Sequence, residues 1–307
     1  MSNKIHNPRN QTRLVAIGGG TLVPEITSEI LALANGKSSR VLICTLASDD
    51  AEVGEFIAQE RFVKRHGVEN AFAWDFANLA ELAQSGTKKL QCIESMRTVA
   101  NAPTTAAILN NIDVFFFAGG DQRVILKTLK GTHFEKCLLE KWRNGDFVLA
   151  GTSAGLQVMS EIALTGDFHL PKNTNDTPSE DTPSEDTPCL EISTGLVELV
   201  PGFGCLKNVI LDQHFLARRR QNRLFSSVID YPSFTGIGVD EATAIVCQGA
   251  CGGKVKPRVV GTSGVFCIQT NNAEICKNST GKLQHVVGLN CCVVWPGGEL
   301  PFEVELS

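Results

Sequence analysis

The apolar run Phe147-Val148-Leu149-Ala150 leads directly into Gly151-Thr152-Ser153-Ala154-Gly155, and this stretch decides the predicted fold. Four such apolar residues are typical of a buried strand, and the residues after Gly155 continue with helical spacing. A strand that ends in Gly-x-Ser-x-Gly and runs into a helix is typical of a nucleophile elbow, a turn so sharp that only glycine fits beside the serine. The pattern predicts that the Ser153 hydroxyl lies exposed at the carboxyl end of a strand.

Strands and helices alternate on the N-terminal side of this turn. The hydrophobic pattern predicts strands at residues 14–17, 40–44, 72–74 and 113–118. It predicts helices at residues 23–34, at residues 50–65 with Ser48 or Asp49 as the cap, and around residues 104–110. This alternation predicts an α/β fold, in which helices cover both faces of a parallel sheet. Shorter strands predicted at residues 191–193, 197–200, 237–239, 244–247, 258–260 and 265–268 form a small β extension.

Length and composition favour one α/β domain over residues 14–307, preceded by a flexible N-terminus at residues 1–13. The chain has 307 residues, of which 43% are hydrophobic and 20% charged, with a net charge of -5. A tandem Thr-Pro-Ser-Glu-Asp repeat at residues 177–186 and Asp176 before it hold five of the acids, and the other 28 acids balance 28 basic residues. We expect a disordered acidic insert at about residues 172–189, because proline-rich acidic sequence cannot bury apolar area. The neutral remainder does not indicate a nucleic-acid surface.

No cofactor, membrane segment or disulfide framework is predicted. The chain has no apolar run of about 20 residues and its start is polar, which predicts a cytoplasmic protein. Most of its eleven cysteines lie in apolar runs and are expected to be reduced. A metal site is the alternative for two cysteine pairs, Cys247 with Cys251 and Cys291 with Cys292. Neither pair has further His or Cys ligands at the spacing of a zinc site. The loop Gly18-Gly19-Gly20 lacks the third glycine of the Gly-x-Gly-x-x-Gly pattern that binds dinucleotides. We expect its glycines to let the loop pass close to the active site.

Three further motifs accompany the elbow. They are Gly119-Gly120-Asp121-Gln122, Asp212-Gln213-His214-Phe215 with Arg218, Arg220 and Arg223 after it, and Gly236-Ile237-Gly238-Val239-Asp240-Glu241. Together with the elbow, these motifs resemble the cyanophycinases, serine peptidases related to the aspartyl dipeptidases. The resemblance runs from about residue 14 to residue 246. It implies a flavodoxin-like fold of the class I glutamine-amidotransferase type, a homodimer, and no metal or organic cofactor.

The resemblance also implies a substrate and a set of site residues. The family's substrate is cyanophycin, a poly-aspartate backbone whose side-chain carboxyls carry arginine, and its product is the β-aspartyl-arginine dipeptide. Ser153 corresponds to the nucleophile, His214 to the general base and Glu241 to the acid that orients the imidazole. The implied substrate-binding residues are Gln122, Asp212, Gln213, Arg218, Arg220 and Arg223. For the oxyanion we expect the backbone N–H groups of Ala154 and Gly120.

Several alternatives stay open at the level of sequence. Asp212 and Asp240 compete with Glu241 for the orienting role, and the resemblance alone chooses Glu241. The first glycine loop continues as Thr21-Leu22-Val23-Pro24 where charged residues would be expected, which leaves the exact substrate open. A dipeptidase for small aspartyl or isoaspartyl peptides is therefore an alternative function. A non-catalytic binding protein on the same fold is a third.

Overall fold

The computed structural model describes residues 11–50, 52–76, 89–168 and 189–307. The predicted acidic insert lies outside the described residues apart from Cys189. The predicted boundary at residue 14 is two residues too late, because Thr12 and Arg13 already belong to the first strand and are buried. The Arg13 guanidinium donates to the carbonyls of Leu33 and Gly145, at 2.7 and 2.5 Å. These bonds hold the strand's N-terminal end in place.

The strands of the described residues, in chain order, are β1 Thr12–Ile17, β2 Arg40–Cys44, β3 Asn70–Trp74, β4 Val114–Phe117, β5 Val148–Thr152, β6 Ser160–Phe168, β7 Val197–Pro201, β8 Leu206–Asp212, β9 Thr235–Val239, β10 Thr243–Gly249, β11 Lys254–Val255, β12 Arg258–Gly261, β13 Val265–Gln269, β14 Glu274–Lys277, β15 Leu283–Val287, β16 Asn290–Val294 and β17 Val304–Leu306. The α-helices are α1 Pro24–Leu33, α2 Val53–Phe56, α3 Lys64–His66, α4 Ile93–Asn101, α5 Gln122–Leu129, α6 His133–Arg143, α7 Ala154–Gln157 and α8 Gln221–Asp230. A π-helical segment, Ile57–Val63, joins α2 to α3, and 3-10 helices lie at Gly36–Ser38, Lys89–Gln91 and Thr105–Asn111.

The first sheet has seven strands in the order β12-β10-β1-β5-β4-β2-β3. The five from β1 to β3 are mutually parallel, and β10 and β12 extend the sheet in antiparallel register. Buried apolar side chains cover both faces of this sheet in two separate clusters. The predicted parallel core with helices on both faces is therefore confirmed.

The second sheet is larger than the predicted extension. Its main path runs β11-β17-β8-β9-β13-β16, and β6 joins it beside β7 and β8. The β8 strand is parallel to β9 and to β6, so that the carboxyl ends of β8 and β9 lie side by side. The chain crosses from this sheet to the first between β9 and β10, over residues Asp240, Glu241 and Ala242. This crossing ties the two sheets together beside the elbow.

Some predicted elements differ in detail. Residues 191–193 form no strand, and the helix expected at residues 104–110 is a 3-10 helix. The helix expected from Asp50 begins at Val53 and has no side-chain cap. Ser48 Oγ instead accepts a hydrogen bond from the Asp50 backbone N–H at 3.1 Å, which makes a local turn. Such side-chain to backbone bonds compete with helix formation.

Within the described part of the chain, no helix is both long and apolar enough to span a lipid bilayer.

Candidate active site

Ser153 lies on a strained turn between β5 and α7. Its backbone has φ 54° and ψ −112°, a conformation that non-glycine residues rarely adopt. Its N–H donates to the Ile17 carbonyl at 3.0 Å, which fixes the turn to β1. A Cβ on Gly155 would come within 2.6 Å of the Phe117 carbonyl oxygen, so the turn needs glycine there. The local geometry is therefore that of the elbow predicted from the sequence. The Ser153 hydroxyl faces an open cavity.

His214 follows β8 and reaches the serine from the second sheet. Its Nε2 lies 3.0 Å from Ser153 Oγ, and its own N–H donates to the Gly18 carbonyl at 2.6 Å. The φ of His214 is 47°, so its backbone is also in the left-handed region. The first glycine loop permits this approach, because a Cβ on Gly19 would collide with the imidazole ring. The expectation that this loop passes close to the site agrees with its position here.

Glu241 contacts the other side of the imidazole. Its Oε1 lies 2.6 Å from His214 Nδ1, so an Nδ1–H donates to the carboxylate and leaves Nε2 as the acceptor that faces Ser153. The Glu241 side chain is 40% exposed, whereas that of His214 is 7% exposed. The structure thus brings Ser153, His214 and Glu241 into one connected chain of contacts.

The two competing aspartates lie elsewhere. Asp240 is buried, and its Oδ1 accepts the backbone N–H groups of Leu216 and Ala217, each at 3.0 Å. Its Oδ2 accepts the Ser263 hydroxyl at 2.6 Å. These contacts hold the turn that follows His214. Asp212 is fully buried and pairs with Arg223, as described below, so neither aspartate contacts the imidazole through a hydrogen bond among the described residues.

Five of the six residues of the predicted substrate pocket are buried, and three of these five form one group of charged side chains. Asp212 and Arg223 form a two-pronged ion pair, in which Arg223 Nε donates at 2.8 Å and its Nη2 also bonds the carboxylate. Arg220 Nη1 donates to the Gln213 carbonyl at 3.0 Å and lies 4.0 Å from Asp212 Oδ1. These three charged side chains are at most 3% exposed.

The remaining residues of that predicted set fall into three positions. Gln213 Oε1 lies 3.0 Å from Ser153 Oγ, so its amide touches the nucleophile. Gln122 is buried, and its Nε2 donates to the carbonyls of Leu164 and Thr165 at 3.1 and 2.6 Å. Arg218 is half-buried, and the neighbouring Arg219 is exposed. Substrate binding by this set stays a prediction.

Burial and the two nearby arginines hold the pKa of His214 below its ordinary value of 6.5. Loss of solvation is the largest cause, and the positive charges of Arg218 and Arg220 act in the same direction, because they disfavour a second cation. The hydrogen bond to Glu241 opposes them and raises the pKa of His214. The net direction keeps the imidazole neutral at neutral pH, which is the form that can accept a proton from Ser153.

The second glycine loop lies on the other side of Ser153. Gly120 has φ 136°, and a Cβ there would collide with the Ala47 carbonyl, so the loop packs backbone to backbone against the turn after β2. Asp121 N–H donates to the same carbonyl at 2.9 Å. Gly120 and Ser153 both line the open cavity, while Ala154 is the first residue of α7. The roles of Gly120 and Ala154 as oxyanion donors stay predictions.

Sequence reasoning missed one residue that holds the turn after β2, against which this loop packs. Lys89 is buried, and its Nζ donates to the Thr45 carbonyl at 3.0 Å and to the Ser48 carbonyl. Burial lowers the pKa of Lys89 from its usual value. Nothing near Lys89 in the sequence indicates this position, because its two acceptors are more than forty residues away along the chain.

The described residues contain no group of three or more His, Cys, Asp or Glu side chains arranged to hold a metal ion.

Comparison with known proteins assigns the chain to a protein family. The sequence profile of peptidase family S51 matches residues 70–252, which hold the elbow, His214 and Glu241. The chain belongs to peptidase family S51. Members of this family are serine peptidases, and the resemblance drawn from the four motifs is confirmed.

Curated relatives of this S51 chain include cyanophycinases. The protein of that name from Trichormus variabilis is 30% identical over 166 residues, which make up 54% of this chain and 49% of the relative. The cyanophycinase from Geminocystis herdmanii is 32% identical over 133 residues, or 43% of this chain and 42% of the relative. The matched region thus spans about half the length of these relatives.

A solved structure resembles almost the whole length of this chain. A peptidase from an acI-B1 Actinobacterium has a TM-score of 0.61 and 19% sequence identity, and covers 96% of this chain and 98% of its own. At this identity the likeness concerns the fold alone. The fold is flavodoxin-like, of the class I glutamine-amidotransferase type, as predicted.

Proposed function

We propose that this protein is a serine exopeptidase that hydrolyses cyanophycin to β-aspartyl-arginine dipeptides through an acyl-enzyme. The observation that carries the proposal is the contact chain from Ser153 Oγ to His214 Nε2, at 3.0 Å, and from His214 Nδ1 to Glu241 Oε1, at 2.6 Å. A hydroxyl, an imidazole and a carboxylate in this order are the parts that activate a serine nucleophile. Relatives named cyanophycinase support the choice of polymer.

In the first half of the proposed reaction, neutral His214 accepts the proton of Ser153 as Oγ attacks the scissile carbonyl. The resulting imidazolium is stabilised by Glu241, which already accepts its Nδ1–H. The backbone N–H groups of Ala154 and Gly120 hold the oxyanion. His214 then gives its proton to the leaving nitrogen as the C–N bond breaks, which leaves an ester on Ser153.

Water completes the proposed reaction. His214 takes a proton from the water, which attacks the ester carbonyl and forms a second oxyanion at the same donors. The C–O bond to Ser153 breaks, Oγ recovers the proton from His214, and the product leaves with a new carboxylate. No metal or organic cofactor enters these steps, which use only the described side chains, the two backbone N–H groups and water.

The proposal includes the location of the protein in the cell and its oligomeric state. The sequence favours a cytoplasmic protein, and the resemblance to the cyanophycinases favours a homodimer. Light scattering coupled to size-exclusion chromatography measures the mass in solution. A mass of one chain at micromolar concentration would contradict the homodimer.

The function is tested by incubating the protein with purified cyanophycin and with β-aspartyl dipeptides and identifying the products by mass. Release of β-aspartyl-arginine from the polymer supports the proposal, whereas cleavage of small dipeptides alone favours the dipeptidase. Ser153→Ala should lose at least three orders of magnitude in turnover, because binding and the oxyanion donors alone give only a small residual rate. Ser28→Ala, an exposed serine on α1, is the matched control and should keep full activity.

A further inference from the structure

The cavity beside Ser153 is not lined by the buried arginines Arg220 and Arg223. It measures about 420 Å³ and is lined by Ser153, Gly119 and Gly120 at one end. Its other walls come from the loop after β1, from the turn after β2 and from the segment α2 with its π-helical continuation. Ligand cavities in proteins commonly have volumes of about 300–1,000 Å³. None of the six predicted substrate-binding residues lines it.

Apolar side chains make up much of its wall. Leu22 comes from the first glycine loop, at the position where the sequence departs from the charged residues expected there. Val53, Phe56 and Ile57 come from the helical segment, and Phe56 is 49% exposed although it is a large apolar side chain. A contiguous apolar surface in a cavity that also contains a nucleophile is typical of a ligand-binding groove. This wall can take an aliphatic chain.

Two charges of opposite sign also line the cavity. The Arg61 guanidinium carbon lies 4.9 Å from the centroid of the Phe56 ring, a cation–π contact that keeps the fork on this face. Within the described ranges, no carboxylate forms an ion pair with Arg61. Asp50 is exposed, and its Oδ1 accepts the Glu52 backbone N–H at 2.9 Å, which fixes the carboxylate. The cavity therefore presents one cation, one anion and an apolar wall.

We propose that this cavity is the subsite for an arginyl branch of the substrate next to the scissile bond. The inference rests on the proposed function. In a β-aspartyl-arginine unit the α-amino group of arginine is consumed in the amide, so its α-carboxylate and its guanidinium stay free. The α-carboxylate is recognised by Arg61, whose planar fork suits bidentate binding of a carboxylate. Asp50 accepts the substrate guanidinium, and the aliphatic stem lies along Leu22, Val53 and Ile57.

The proposal is tested by binding, without turnover, using Nα-acetyl-L-arginine as the probe. This probe has the acylated amine, free carboxylate and guanidinium of the branch. Isothermal titration of the intact protein should show binding that falls about tenfold in Arg61→Gln and in Asp50→Asn, the loss of one charge-assisted pair. Lys64→Gln and Asp49→Asn remove the same charges from neighbouring positions that do not line the cavity, and should bind the probe like the wild type.

Two altered probes assign each charge to its partner. Nα-acetyl-L-arginine amide lacks the carboxylate, so Arg61→Gln should bind it as the wild type does. Nα-acetyl-L-citrulline lacks the positive charge, so Asp50→Asn should have no effect on its binding. Absence of probe binding, or equal loss in the Arg61 and Lys64 variants, would overturn the subsite.

Cyanophycin turnover separates this inference from the proposed function. If the wild type releases the dipeptide and Arg61→Gln does so with an unchanged Michaelis constant, the subsite is wrong while the function stands. If the wild type leaves cyanophycin intact but binds the probe through Arg61, the function is wrong while the subsite for an acylated arginine stands. A raised Michaelis constant with little change in turnover supports both.

Discussion

Two groups of charged side chains near His214 and Ser153 differ in their exposure to solvent. Behind His214, Asp212, Arg220 and Arg223 are at most 3% exposed and are bonded to one another or to backbone. On the open side, Glu241 is 40% exposed, and Asp50 and Arg61 line a cavity that reaches the nucleophile. Both regions are rich in ionisable groups, but those of the first are withdrawn from solvent and those of the second are at least partly exposed to it.

This difference indicates a division of work. A charge removed from water is costly unless it is paired and hydrogen-bonded, so the buried group is held by its own contacts and fixes the backbone around Gln213 and His214. A partly exposed charge keeps much of its hydration and can exchange it for a ligand. We therefore expect changes in the buried region to lower stability, and changes on the open side to alter rate, affinity or pH dependence.

The largest expected effect is on turnover, from Glu241→Gln. The amide cannot stabilise the imidazolium, and loss of the orienting acid in a serine triad costs roughly ten thousandfold in kcat. The Michaelis constant and the unfolding midpoint should change little, because the side chain is partly exposed. Steady-state kinetics with thermal unfolding measure both quantities. A stable variant that retains a tenth of wild-type turnover would remove Glu241 from the proposed mechanism.

The next effect is on stability, from Asp212→Asn. This change leaves Arg223 buried without its counter-charge, and breaking a buried ion pair in this way costs about 3–5 kcal/mol. Urea unfolding measures the loss. Arg61→Gln, on the open side, is the comparison variant and should unfold at the wild-type midpoint. Equal stability of the two variants would contradict the division into a buried structural region and an open ligand-binding region.

A smaller loss of stability is expected for Asp240→Ala. The carboxylate accepts two backbone N–H groups and the Ser263 hydroxyl, but Leu216 and Ala217 are exposed, so water can replace part of what is lost and we expect a total cost of about 1–3 kcal/mol. Turnover of the folded fraction should fall far less than in Glu241→Gln. Ser263→Ala removes a single one of these bonds and serves as a graded control. A turnover loss as large as that of Glu241→Gln would show that the two neighbours have been assigned in the wrong order.

The smallest effect is a shift in pH dependence, from Arg218→Gln. Arg218 helps to hold the pKa of His214 below 6.5, so its removal raises that pKa. The neutral imidazole is then lost at a higher pH, and the acidic limb of kcat/KM moves upward. Arg219→Gln is the matched control, since Arg219 is exposed and does not contribute to the His214 shift. A downward shift, or the same shift in both variants, contradicts this cause.

Local sequence was enough to predict the first sheet. Parallel strands that are buried on both faces appear in a sequence as short apolar runs, and β2 and β5 coincide with two such runs. The second sheet was underestimated, because its strands pair across long separations in the chain, as β8 does with β17. Helix starts were also imprecise, since Ser48 looked like a cap but bonds the Asp50 amide within its own turn.

The sequence by itself determined the elbow, the family and the parallel core, because each depends on residues that are adjacent or regularly spaced. Tertiary structure decided which acid meets His214: Asp240 and Glu241 are neighbours in the chain, but the crossing between the sheets turns one carboxylate into the core and the other toward the ring. It also decided that Arg223 is buried against Asp212 while Arg61 lines the cavity. Sequence shows that a charge is present, but burial depends on contacts between residues far apart, and burial decides what that charge can do.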